Sequence, residues 1–255
     1  MFKPQLVYYE PNAENYKLGK ELLDKYREEG VKLIPIENHN NIEELRKNPN
    51  SEFANMKQNI IIGVRKTHKF VPNHKVSDFL VPYTSSGCIA MCMYCYLVCN
   101  YNKCSYLRIF VNREEMLDKI IKVANQSDKE LTFEIGSNSD LILENTITHN
   151  LEWTIENFNA DKGYLTFPTK FDMVDPLLNL KNKEKVIVRM SMNPEEIINK
   201  LKKDKLIIFA THDIEFAKSC ADKILYIENK KVKEKDRVSR NNLIYNGQNQ
   251  NKVDK

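Results

Sequence analysis

Three cysteines at a C-x3-C-x2-C spacing, Cys88, Cys92 and Cys95, constrain this chain more than any other feature. A loop that presents three sulfurs to one ligand needs rigid elements to hold it. The chain has six cysteines, and five of them fall between residues 88 and 104, with Cys220 far away. A secreted disulfide framework spreads its cysteines along a small chain, whereas clustering of this kind belongs to metal or redox chemistry. Three thiolates on one tight loop can bind three irons of a [4Fe–4S] cubane and leave the fourth iron open to a small molecule. Gly87, directly before Cys88, lets the backbone wrap closely round such a cluster. The other metal reading is zinc, with Cys99, Cys104 or His74 as the fourth ligand. Structural zinc commonly draws paired CxxC units from two separated segments, and here Cys92 and Cys95 form a single pair.

The flanking sequence supplies the scaffold. Leu6–Tyr9 is predicted as a strand, and Glu14–Glu29 as a helix with Leu18, Leu22, Leu23 and Tyr26 on one face. Gly30 ends that helix, and Val31–Ile36 and Asn59–Val64 follow as strands. Together these describe a small α/β cap over residues 1–75. From Phe79 the rhythm changes. Strands are predicted at Phe79–Thr84, Leu131–Ile135, Gly163–Phe167 and Val186–Met192, and helices at Arg113–Asn125, Leu143–Asn157 and Pro194–Lys203. Strands that alternate with helices form parallel βαβ units, so the fold class is α/β. Such sheets bind ligands at the carboxyl ends of their strands. The cysteine loop, the Ser137–Asp140 loop, Lys170 and Ser191 all fall at such ends.

At 42% hydrophobic and 29% charged, the 255 residues can bury a core and keep a solvated surface. No apolar run approaches the roughly 20 residues a bilayer requires. The start of the chain, MFKPQLVYYEPNAENYKLG, lacks a signal pattern, so a cytoplasmic location without membrane attachment is expected. The net charge of +4 is compatible with a nucleic-acid partner but equally with lysines on ordinary solvated faces. No internal repeat is present, and the polar tail over 236–255 is predicted to be disordered.

The cysteine segment has a more specific resemblance. GCxxxCxYCYL over residues 87–97, followed by YLRxFVN over 106–112, resembles the spore photoproduct lyase family of radical S-adenosylmethionine (SAM) enzymes. PQLVYYEP, YKLGKEL and IIGVRKTHKF upstream, and FEIGSNSD, LTFPTKFDMVD and RMSMNPEEII downstream, match the family in order. The resemblance covers about residues 1–200 and implies a partial, truncated (β/α) radical-SAM barrel over 76–203. It implies two cofactors, a [4Fe–4S] cluster and SAM, and a repair reaction on UV-damaged DNA. In that reaction SAM bound to the open iron is cleaved reductively, and the resulting 5′-deoxyadenosyl radical starts the reversion of 5-thyminyl-5,6-dihydrothymine to two thymines. An electron donor such as ferredoxin or flavodoxin is implied as a further partner. The lesion must leave the helix, and a damaged step unstacks at lower cost.

Carried over residue by residue, Cys88, Cys92 and Cys95 match the cluster ligands, and Ser139, Lys170 and Ser191 match positions that contact SAM. Taken alone, Lys170 reads as a solvated loop lysine and the serines as turn formers. Asp140 either receives a ribose hydroxyl or caps the following helix. Tyr94 and Tyr96 match tyrosines implicated in hydrogen transfer, or pack round the cluster.

Two departures stand out. Where the family has a hydrogen-donating cysteine, this chain has Ser137, whose O–H bond is far harder to break homolytically than S–H. Cys99 or Cys104 can take that role, or serve as small buried hydrophobes. The second departure is residues 204–235, which resemble the end of an ABC transporter ATPase domain, with Leu206–Ala210 as a strand and His212 at the switch-histidine position. The chain contains no G-x-x-x-x-G-K-[ST] phosphate loop, so ATP hydrolysis is not expected. These features suggest a fused or truncated reading frame. Two alternatives therefore stand beside the repair lyase: a radical-SAM enzyme for another substrate, and a nonenzymatic remnant.

Overall fold

Short apolar strands and amphipathic helices alternate through the first three quarters of the chain, and their pairing can be followed residue by residue. The computed structural model describes residues 2–40, 42–47, 52–92, 106–190, 224–228 and 231–235. Contacts divide the chain into two units, Met1–Ser191 and Met192–Lys255.

The first unit opens with β1 (Leu6–Tyr9), α1 (Lys17–Glu28), β2 (Lys32–Pro35), the short helices α2 (Glu43–Lys47) and α3 (Phe53–Met56), and β3 (Asn59–Gly63). It continues through β4 (Val71–Pro72), β5 (Phe79–Leu80), β6 (Ser85–Ser86), β7 (Leu107–Phe110), α4 (Arg113–Asn125) and β8 (Thr132–Glu134). Helices α5 (Leu141–Thr148) and α6 (Asn150–Asn157), then β9 (Tyr164–Thr169) and β10 (Val186–Met190), complete it.

One sheet has the order β2-β1-β3-β7-β6, parallel except for β6. Side chains alternate across a strand, and both faces of this sheet are buried. Val7, Ile60, Ile62 and Ile109 pack with Leu18, Leu22, Leu23 and Tyr26 of α1. Tyr8 and Ile61 pack on the other face with Ile42, Leu45 and Met56 from the α2–α3 region. Gly30 ends α1's excursion with φ +70°, as its position in the sequence predicts. Gly19 is required for another reason: a Cβ there would lie 2.0 Å from the Ala13 carbonyl oxygen of the preceding turn.

The second sheet has the order β10-β9-β8-β5-β4, parallel except for β4. Phe133, Leu165 and Phe167 form its core with Leu117 and Ile120 of α4 and Leu151 and Ile155 of α6. The segment 79–86 belongs to both sheets. Val81 N–H donates to Glu134 O (2.8 Å) beside β8, and Phe110 N–H donates to Thr84 O (2.7 Å) beside β7. Of the expected strand Phe79–Thr84 only Phe79–Leu80 is a strand, and the chain changes sheets at Pro82, which has no N–H for a ladder.

The expected helix Leu143–Asn157 is two helices. His149 takes a left-handed conformation (φ 54°, ψ 24°) between them. Asn145 Oδ1 accepts the Leu151 and Glu152 N–H groups (3.0 and 3.2 Å), which gives α6 its start. Helix Pro194–Lys203, strand Leu206–Ala210 and the 236–255 tail lie outside the described residues. In the second unit β11 (Ile224–Glu228) and β12 (Lys231–Lys235) form an antiparallel pair, Ile224 opposite Lys235 and Glu228 opposite Lys231.

Glu144 lies fully inside the first unit. Its Oε1 accepts from Thr148 Oγ1 (2.7 Å) and Asn150 Nδ2 (2.9 Å), while Oε2 has no partner among the described residues. Burial pushes its carboxyl up to about 7, against the pull of those two bonds and of Arg113. The protonated form is therefore the one the fold prefers.

Two outcomes are expected. In Gly19→Ala, a Cβ driven against a backbone carbonyl puts overpacking at the upper end of its usual range (about 3 kcal/mol), which outweighs the helix-propensity gain (about 1 kcal/mol), so urea unfolding shows a net loss of about 2 kcal/mol. Glu144 binds its proton more tightly folded than unfolded, so its contribution is fully present below pH 4.5 and lost as pH rises through about 7. Unfolding free energies measured across that window should fall by about 3 kcal/mol in the parent chain, and Glu144→Gln should remove this decline.

Candidate functional site

Gly87 turns the chain from β6 into the cysteine loop with φ +77°, a region open to glycine. Its N–H donates to Asn138 O (2.8 Å), which fastens the cysteine loop to the loop after β8. Antiparallel pairing of Ser86 with Arg108 directs the next residues toward the start of β7, level with the start of β3. Cys88 is buried there, and its sulfur accepts the Ala90 N–H at 3.3 Å. The ammonium of Lys57, from the turn before β3, donates to the Cys88 carbonyl. Burial pushes the Cys88 thiol up; the Ala90 N–H and the Lys57 charge pull it down, the Asp140 charge pushes it up, and the Asp140 N–H pulls it down. The Lys57 and Asp140 charges thus act on the Cys88 thiol in opposite senses. A coordinating metal would deprotonate it outright.

The second wall of the site is the Ser137–Asp140 loop. Gly136 lets this loop lie against β9, since a Cβ there would be 2.7 Å from Phe167 Cβ. Ser139 is 6% exposed, and its Oγ has no hydrogen-bond partner among the described residues. Asp140 caps α5 through Leu143 N–H (3.3 Å). The same carboxylate accepts Thr169 Oγ1 (2.8 and 3.1 Å to its two oxygens) and the Lys170 N–H (3.0 Å). Asp140 therefore joins the end of β9 to the loop that carries Ser139. The cap expected from sequence is present, and it is one of three tasks for this carboxylate.

The structure brings Cys88, Ser139, Asp140 and Lys170 together through these bonded loops. Lys170 is exposed, at the end of β9. Cys92 is half-buried and has a free thiol, as does Cys88. Ser137 is half-buried, and His74 is exposed in the turn between β4 and β5. Tyr94, Cys95, Tyr96, Cys99, Cys104, Ser191 and His212 lie outside the described residues.

Sequence reasoning missed two features. Lys57 is one lysine among many, and only its 3% exposure singles it out. Glu134 and Arg189 form an ion pair (2.8 Å) across β9, with Arg189 Nε donating to Thr166 Oγ1 (3.1 Å). Their charges at interior-facing strand positions were the available signal.

A buried hydroxyl without a partner among the described residues, after the carboxyl end of β8 and in the loop whose Asp140 N–H reaches the Cys88 thiol, fits a polar small molecule held next to a metal. The fold defines an α/β domain, with the first unit's described strands in two five-stranded, largely parallel sheets. A family model described as spore photoproduct lyase matches residues 2–226, and the chain belongs to that family. The match runs past Lys200 into the segment that resembles an ATPase end. The chain is 38% identical over 200 residues to the spore photoproduct lyase of Bacillus subtilis (strain 168), covering 77% of this chain and 58% of that protein. A solved spore photoproduct lyase complexed with dinucleoside spore photoproduct superposes with TM-score 0.70 at 33% identity, over 78% of this chain and 59% of that one. A double variant of the enzyme, with bound AdoMet and dinucleoside spore photoproduct, gives the same values. This chain thus spans under three fifths of the relatives' length.

If Asp140 braces the site, its replacements should separate by what they retain. Asp140→Ala loses the cap and the two bonds to β9, an expected loss of about 2–4 kcal/mol in chemical unfolding. Asp140→Asn keeps one acceptor oxygen and a good cap residue, and should lose less than half as much.

Proposed function

We propose that this chain is a radical-SAM lyase of the spore photoproduct type, acting on the thymine dimer of UV-damaged DNA. The observation that supports this best is the Gly87 N–H to Asn138 O bond at 2.8 Å, which sets the cysteine loop against the loop carrying the unpartnered Ser139 hydroxyl. Cys88, Cys92 and Cys95 would hold a [4Fe–4S] cluster. Ser139, Lys170 and Ser191 would receive SAM, with Lys170 as a point charge for its carboxylate. The cluster and SAM supply the radical chemistry when bound. The chain's own part is positional. Asp140 fixes the backbone of Lys170 and Ser139 in one frame, and Tyr94, Tyr96, Cys99 and Cys104 are the candidates for returning the hydrogen atom. An electron donor such as ferredoxin or flavodoxin would reduce the site. Among the described residues no helix is long and apolar enough to cross a membrane.

Ser137 favours a second reading, a radical-SAM enzyme with a different substrate, because a serine is a poor hydrogen-atom donor. One assay separates the two. The anaerobically reconstituted chain, supplied with dithionite, SAM and synthetic dinucleoside spore photoproduct, should form 5′-deoxyadenosine and two thymidines, and Cys92→Ala should form neither. Cleavage of SAM without repair of the dinucleoside assigns another substrate. A colourless, zinc-loaded protein overturns both readings.

A further inference from the structure

Two arginines of the first sheet gather around one aromatic ring. Arg65 follows β3, and Arg108 lies in β7, the neighbouring strand. Arg65 is half-buried and Arg108 is buried. The Arg65 N–H donates to Asn112 Oδ1 (2.9 Å), and its Nε donates to Tyr83 O (2.9 Å). Its Cζ lies 3.8 Å from the centre of the Phe110 ring. Arg108 Nε donates to His39 O (3.3 Å), and the His39 ring meets the same Phe110 ring edge-on at 5.1 Å. Burial pushes the Arg65 guanidinium down to about 10, and the Arg108 charge pushes the same way. The two cations thus share one neighbourhood.

Arginine keeps its proton in a protein, so a buried guanidinium calls for an anion. Neither arginine forms an ion pair among the described residues. Glu10, the carboxylate that contacts His39, is already committed. Its Oε1 accepts from the His39 N–H (3.1 Å) and faces His39 Nδ1 (3.0 Å), and its Oε2 accepts the Val64 N–H (2.8 Å). His39 adds no charge at neutral pH: burial pushes its imidazole down, Glu10 pulls it up, and Arg108 and Arg65 push it down again. Two guanidinium groups therefore stand against one carboxylate. Each Nε is used by a backbone carbonyl, which leaves the terminal nitrogens of two forks. One fork matches the two oxygens of a carboxylate, whereas two forks match a group with three or more oxygens.

We propose that Arg65 and Arg108 form a binding site for a phosphate group. Tyr83 O and the Phe110 face fix the Arg65 fork, and His39 O fixes that of Arg108, before any ligand arrives. Such pre-set groups lose little freedom on binding. The assignment is independent of how the cysteine loop is used.

The test titrates the full chain calorimetrically, in chloride buffers of matched ionic strength, with inorganic phosphate and with the dinucleotide TpT. Saturable binding is expected, weakened about tenfold or more in Arg65→Gln and in Arg108→Gln. Binding of inorganic phosphate alone assigns a free phosphate or monoester, and binding of TpT assigns a phosphodiester. A second measurement needs no variant. Phenylglyoxal modification of the parent chain, mapped by peptide mass spectrometry, should be slowed at Arg65 by the bound ligand and unchanged at the exposed Arg27. This protection decides the matter if the glutamine variants fail to fold. Absence of binding by both ligands overturns the proposal. So does an affinity that both variants retain, because the arginines would then only brace Tyr83 and His39.

Discussion

The structure of the first unit depends on how the backbone of residues 79–88 is shared. One short stretch pairs with β8 through Val81, with β7 through Thr84, and with the Asn138 carbonyl through Gly87. Every backbone group it commits to one sheet is unavailable to the other, and Pro82 marks where the change is made. The cysteine loop inherits its position from this arrangement. Cys88 follows a residue placed by the β6–β7 ladder and by a loop carbonyl, so its backbone needs no ligand to lie against the 137–140 loop.

Electrostatics then acts on a geometry already fixed. Cys88 is buried and acted on in opposite senses by the Lys57 ammonium and the Asp140 carboxylate, and the carboxylate is itself held by Thr169, the Lys170 N–H and the start of α5. A carboxylate that accepts several donors is stiff as well as charged, since each bond restricts its rotation. Thus Asp140 transmits the position of β9 to the loop it occupies. The polar groups that remain unsatisfied in this neighbourhood, such as Ser139 Oγ, are the ones a ligand can use.

Much of the framework was legible in the sequence. The helix Arg113–Asn125 and the strand Leu6–Tyr9 have the predicted bounds, because periodicity and flanking residues agree there. Three differences have local physical causes. The strand expected over Phe79–Thr84 ends at Leu80, ahead of Pro82, which has no N–H to give a ladder. The helix from Leu143 divides at His149, where the Asn145 side chain offers the backbone a competing partner that no periodicity reveals. Strand Leu107–Phe110 was read as part of a motif, although its apolar, buried run is strand-like. In the candidate site, the motif frame singles out Cys88, Ser139 and Asp140, and the structure sets their loops side by side. Lys57 was not, because its burial follows from long-range pairing of β6, β7 and β3, which a single sequence does not display.

The central claim of the proposed function is that Cys88, Cys92 and Cys95 would hold a [4Fe–4S] cluster with one iron left open to SAM. Mössbauer spectra of the iron-loaded chain, recorded with and without SAM, address it most directly. The account expects one iron of the cubane to differ from the other three and to change when SAM is added. Four equivalent irons that ignore SAM, or a chain that takes up zinc in place of iron, would contradict it.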